Sequence, residues 1–320
     1  MKSPQKLLLS AAIAAVVATP FAAHADTFLF NPNGTGTSGA ISVELIDQAP
    51  GNALAFGALT PNGQTTSSGQ PVYTAQTGTN FTLYYQGNLQ TLNGVNESVF
   101  TNGTGGRYFT FTAGFGETIT SASGLNADGT SNASFGLVSG GTNYYRIYAT
   151  NAIGDNLSGT GFNTGKLIFE GTVTKEEGST FTSNVAAGAT TALDQFGTNN
   201  YPGITSGTGT GGATIDVKPT FIDANYFPDL TVANVLYSNF STQLVTPFQQ
   251  VNPSLCFNDG PGCVPMTQIN GVTGPNFRLQ ADANETILVT RAVPEPATTA
   301  MLGLGLALVG LFGISRKKQA

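Results

Sequence analysis

Aromatic and β-branched residues recur along the chain in short runs, and inside each run they alternate with polar residues. In Gly165–Thr174, Leu167, Phe169 and Val173 fall on one side, while Lys166, Glu170 and Thr172 fall on the other. That period of two predicts a strand with one buried face. Asn80–Leu89, Arg107–Phe115, Asn143–Thr150, Ala213–Ile222 and Glu285–Ala292 have the same character and read as strands. Phe277–Val289 reads as a final hairpin turning near Asp282–Asn284. Asn31–Gly39, Asn102–Gly106 and Ser206–Gly212 are rich in Gly, Asn and Thr and read as loops. Phe227–Phe240 is a helical candidate, with Asp229 as cap and Leu230, Val232, Val235 and Leu236 as apolar positions; its β-branched residues also suit a strand. Many short strands separated by Gly and Asn turns predict an all-β body, an antiparallel β-sandwich of one large or two small sheets with long Gly/Asn/Thr-rich loops. No repeat of roughly 20–50 residues is visible, which argues against a regular solenoid.

The two ends follow a different pattern. Ala297 to Ser315 is an uncharged, apolar run. As a helix it would span roughly 28 Å, close to the thickness of a bilayer core. Pro294 and Pro296 stand just outside it, and Arg316, Lys317 and Lys318 follow it. Basic flanks stay in the cytoplasm. At the other end, Lys2 and Lys6 precede an apolar stretch from Leu7 to Ala18, and Ala23-His24-Ala25 is a small-x-small cleavage site. The expected division is a helical signal peptide over 1–25, an exported β-rich part from Asp26 to residue 292, and a transmembrane sorting helix within 293–320. Both ends predict one topology, with the intervening part exported and membrane contact only through the C-terminal span before processing.

Charge narrows the function. The chain has 12 basic and 18 acidic residues. Seven of the basic and seventeen of the acidic residues lie in 26–292, a net charge of −10. An acidic body argues against nucleic acid, whose phosphates need Lys and Arg. The sole histidine, His24, leaves with the signal peptide, which excludes a Ser-His-Asp or Cys-His apparatus and His-containing zinc sites from the mature chain. Glycosidases can work with two carboxylates alone, so Asp194, Asp216, Asp223 and Asp229 keep that class open, although solvated acids are their simpler reading. The glycines of Ser206–Gly212 precede a strand and no Walker lysine follows, so they are not a phosphate cradle. Asn258–Gly260 and Asp282–Asn284 offer oxygen ligands but match no EF-hand loop. No cofactor, metal ligand or catalytic residue is assigned. Tyr84, Tyr85, Tyr144, Tyr145 and Tyr148 lie in strand-like runs, where packing is their expected role; with no Trp in the chain, an exposed row of them would instead mark a sugar-binding face. Cys256 and Cys263 are the only cysteines and bracket a Gly/Pro turn. An even count in an exported chain predicts a disulfide between them.

The tail, Val293-Pro294-Glu295-Pro296, a Gly-rich apolar span and a terminal basic cluster, resembles the sorting signal of PEP-CTERM proteins. That resemblance implies export from a Gram-negative bacterium that makes extracellular polysaccharide, with recognition and cleavage by an exosortase. It covers about 28 of 320 residues. Thr27–Ala40, Ala49–Gly57 and the late Phe277–Asn284 are similar to the flocculation-associated group of these proteins. The resemblance implies a non-enzymatic matrix protein that promotes biofilm or floc cohesion, with exopolysaccharide or further copies of itself as partner. A polysaccharide-binding module and a carboxylate-based glycosidase are the alternatives.

Overall fold

Runs with apolar side chains at every second position extend as strands because that spacing buries one face of a pleated ribbon. The computed structural model describes residues 27–123, 131–183, 191–197, 199–207, 209–244, 247–266, 270 and 273–289. The signal-peptide residues Ala23, Ala25 and Asp26, the sorting residues Val293 to Pro296, the apolar span and Arg316 to Lys318 lie outside them. Strands β1 (Phe28–Phe30) and β2 (Ile41–Val43) form a hairpin. Then come β3 (Leu45–Gln48), β4 (Gly51–Phe56), a second hairpin of β5 (Thr60–Thr65) and β6 (Pro71–Thr74), β7 (Asn80–Asn93) and β8 (Ser98–Thr101). They are followed by β9 (Tyr108–Ala122), β10 (Ser131–Leu137), β11 (Asn143–Thr150), β12 (Lys166–Ser183) and the short β13 (Thr191–Ala192) and β14 (Thr205–Ser206). The last are β15 (Gly209–Ile222), β16 (Val235–Leu244), the two-residue pair β17 (Cys256–Phe257) and β18 (Gly262–Cys263), and β19 (Phe277–Leu288).

The large sheet has 11 strands and all its pairings are antiparallel. It curls on itself. β7 pairs with β9, which leads through β11, β12, β15 and β16 to β19. β19 then pairs with both β3 and β4, and these two pair with β7. β3 and β4 run on in one line along β7, so they share a single position in the ring. The result is a closed, up-and-down barrel, in which β10 and β11 likewise share one position between β9 and β12 and β8 is added at the margin beside β7. This corrects the sandwich expectation. Alternation is identical in a flat sheet and a rolled one, and the decisive pairing joins residues more than 200 positions apart. Ladder irregularities at Asp47/Gln48, Ile147/Tyr148 and three places along β12 locally bend the strands, as closure requires.

Three local expectations are also corrected. Val235–Leu244 is a strand, and Phe227 to Asn234 is turn and irregular chain; the side-chain carboxylate of Asp229 accepts the Leu29 N–H at 2.9 Å instead of capping a helix. Phe277–Leu288 is one strand with no turn at Asp282–Asn284, because β16 and β3/β4 pair it along its length. Gly209–Gly212 lies within β15, where the Phe181 ring occupies the space that side chains at Gly209 and Gly211 would need.

The interior is packed by Phe111, Phe115, Ile147, Phe169, Val173, Ile215, Val217, Leu236 and Ile287, each at most 2 % exposed. One end is closed by the β1–β2 hairpin. Phe30 stacks edge-on against Phe109 and Phe227 with ring centroids 5.1 and 5.0 Å apart. The chain leaves the barrel at that same end, where Leu288 pairs with Val235 at the start of β16.

Candidate functional site: a polar groove at one end of the barrel

Three clusters of chemistry-bearing side chains are built on this frame, and each has a different environment. The first is inside. Gln48 donates to the Tyr145 hydroxyl at 3.1 Å and to Glu285 Oε1 at 2.5 Å, and accepts from the Tyr85 hydroxyl at 2.9 Å. Ser238 adds a hydrogen bond to Glu285 Oε1 at 3.0 Å. β3 and β11 are not neighbours in the sheet, so these bonds cross the barrel. Glu285 is fully buried, and burial pushes its carboxyl up to about 8 despite the donors around it. The neutral acid is therefore its state at pH 7. Nearer the other end, Glu117 is buried beside Glu176 and accepts from Ser179 at 3.3 Å. Burial first, and the neighbouring carboxyl second, raise Glu117 well above the usual carboxylate range.

The second cluster is outside. Asn52, Gln86, Thr112, Arg146 and Glu170 are opposite one another on successive strands. The segment from Asn252 to Cys263 lies across this row. Asn52 donates to the Asn252 carbonyl at 3.0 Å and accepts the Ser254 N–H at 2.7 Å, and Gln86 donates to the Cys256 carbonyl at 2.9 Å. At the tip of this strap, Asp259 accepts from Thr112 at 2.7 Å, Tyr148 at 2.8 Å and Asn163 at 2.7 Å, with Arg146 at 3.6 Å. Tyr144 donates to the Asp259 carbonyl. Burial works against the charge of Asp259, but these donors outweigh it and hold the carboxyl below its ordinary value. Cys256 and Cys263 are joined by a disulfide and face each other on β17 and β18 with Cα atoms 3.9 Å apart.

The third cluster is a groove of about 500 Å³ at the end closed by the β1–β2 hairpin. Its walls come from the start of β9, the end of β11, the start of β12 and the loops between them. Arg107, Tyr108, Asn151, Thr164, Lys166 and Tyr226 supply its polar and aromatic surface. Lys166 bonds Asp223 at 2.5 Å and stands 5.3 Å from the centre of the Tyr226 ring. Arg107 is exposed, and among the described residues its side chain reaches only the Gly105 carbonyl, at 3.4 Å. Hydroxyls, amides, two tyrosine rings and two cations are the side chains that bind sugars and acidic groups.

The tyrosines named from the sequence do not form an exposed row. Tyr85 and Tyr145 are inside the barrel, and Tyr144 and Tyr148 hold the strap. Nor are the four candidate acids gathered. Asp194 is buried and caps the backbone at Phe196 and Asn200, Asp223 pairs with Lys166 and Asp229 holds Leu29, while Asp216 lies opposite Tyr237 on β15. Glu285 and Glu117 carry no local signal, because single acids within alternating strands look like solvent-facing positions, and Glu176 stands in a charged Lys-Glu-Glu run that reads the same way. The groove has no local signature, because Arg107, Lys166 and Tyr226 are far apart in the chain. Among the described residues, no group of three or more His, Cys, Asp or Glu is placed to hold a metal ion.

The fold and this groove define a class: an antiparallel barrel with a polar cleft at the end where β9 and β12 begin and β11 finishes. Residues 292–317 match the PEP-CTERM protein-sorting motif, so the chain is an exported protein sorted through an exosortase. No curated protein and no solved structure matches the chain.

Proposed function

We propose that the exported barrel is a non-enzymatic matrix protein that promotes biofilm or floc cohesion by holding extracellular polysaccharide in the groove. The observation that carries this reading is the groove itself, where tyrosine rings and neutral hydrogen-bonding side chains share one cleft with two cations. Aromatic faces stack on sugar rings, and Asn and Thr exchange hydrogen bonds with hydroxyls. Each such contact contributes about 0.5–1.5 kcal/mol net, so one groove binds weakly. Many copies along one polymer bind firmly through effective concentration. The sorting motif supplies the location such a role needs. The test uses protein exported by the producing cells. Tyr108→Ala should lower retention on extracted polysaccharide and reduce cell aggregation, with secretion unchanged. Full retention and full aggregation by that variant would refute the groove as the binding site.

A further inference from the structure

We infer that the groove selects an acidic sugar, with a uronate carboxylate paired to Arg107 and the sugar ring packed against the groove's tyrosines. This rests on the groove binding polysaccharide at all, and it adds the class of sugar. Charge distribution motivates it. The body from 26 to 292 carries a net charge of −10, yet the residues lining the groove include two cations and no acid. The two cations are not equivalent. Lys166 is neutralised by Asp223 at 2.5 Å. Arg107 has no acidic partner among the described residues, and its one hydrogen bond, to the Gly105 carbonyl, is long. Its planar guanidinium therefore keeps donors free at the mouth of the cleft, in the fork geometry that meets a carboxylate with two parallel bonds. At physiological salt the screening length is about 8 Å, so the acidic body elsewhere does not cancel a pair formed inside the groove.

Polygalacturonate, its fully methyl-esterified form and dextran separate the possibilities, because the first two share one backbone and differ only at the carboxyl, which is charged in one and a neutral methyl ester in the other. The exported protein should bind polygalacturonate about fivefold more tightly than the ester, the gain of one partly exposed ion pair. Arg107→Gln should abolish that preference, so that polygalacturonate and the ester bind equally, while Arg107→Lys should retain part of it. Circular dichroism and a melting curve check that the variants fold; Arg107 is exposed, so neither change disturbs the core. Equal binding of both polymers, or a preference that survives Arg107→Gln, would overturn the acidic-sugar assignment while leaving the groove reading intact. Binding to none of the three polymers would overturn both. A sulfated polymer preferred over polygalacturonate, with the preference lost in Arg107→Gln, would replace the carboxylate by a sulfate ester and also overturn the assignment.

Discussion

Glu285 shows how one residue sets the pH response of the molecule. Buried among Gln48, Tyr145 and Ser238, it holds its proton to about pH 8, whereas in the unfolded chain it ionises near 4.5. Between those values the folded state carries one more proton than the unfolded state, so stability falls as pH rises, by about 1.4 kcal/mol per pH unit for this group. Its favourable term is complete below pH 4.5 and exhausted above pH 8. Glu117, Asp47 and Asp282 are shifted the same way by burial. Asp259 and Asp223 are shifted downward, so their contributions are present above the ordinary carboxylate range and disappear in stronger acid. Maximum stability is therefore expected in mildly acidic solution. Glu285→Gln keeps the shape of the neutral acid and removes its titration. Urea midpoints measured from pH 5 to pH 8 should fall less steeply for this variant than for the parent chain. Parallel slopes would mean that Glu285 is ionised throughout.

The strap is the element whose role depends most on distant partners. Asp259 lies far in sequence from Thr112, Tyr148 and Asn163, yet all three donate to it. Gly159 is the other half of the seam. It sits at φ +70°, its carbonyl accepts from Asn258, and a side chain there would collide with the Cys256 backbone. Opening the disulfide releases a short loop, worth about 2–3 kcal/mol on the loop-entropy model. The barrel ladder does not pass through the strap. Reduction should therefore lower the melting temperature and speed hydrogen exchange at the amides of Ser254, Gly260 and Val264, in and beside the strap, while the far-ultraviolet spectrum keeps its β character. Global unfolding on reduction would contradict this division. Elements were legible in the sequence wherever aromatic and β-branched residues are dense: β11 begins and ends where that run does, at Asn143 and Thr150. Legibility failed where glycines run through a strand, as in β15, and where tertiary pairing overrode a helical pattern, as in β16. The disulfide hairpin was readable from two cysteines around a turn. The seat of Asp259 was not, since nothing local distinguishes it from a solvated loop acid.

Closure matters most at the scale of the whole molecule. A rolled sheet whose first and last positions pair presents no long free edge among the described residues, which disfavours strand addition between copies. On the proposed reading, cohesion rests on side-chain contacts of the surface, and the groove gathers such side chains in one cleft. This separates an adhesive protein from a carboxylate-based glycosidase. A glycosidase depends on two particular acids, and loss of either abolishes turnover. The pair best suited to that role here is Glu117 with Glu176, since burial and the neighbouring carboxyl raise Glu117 well above the usual carboxylate range. Adhesion through the groove needs neither. A strain lacking the gene, complemented with Glu117→Gln or Glu176→Gln, should recover aggregation and bound polysaccharide to the level given by the parent gene. The Tyr108→Ala form should fail in the same assay at equal secretion. If one of the two glutamine variants were secreted and folded normally yet left the cells dispersed, the carboxylates would be acting chemically, and the non-enzymatic reading would have to be abandoned.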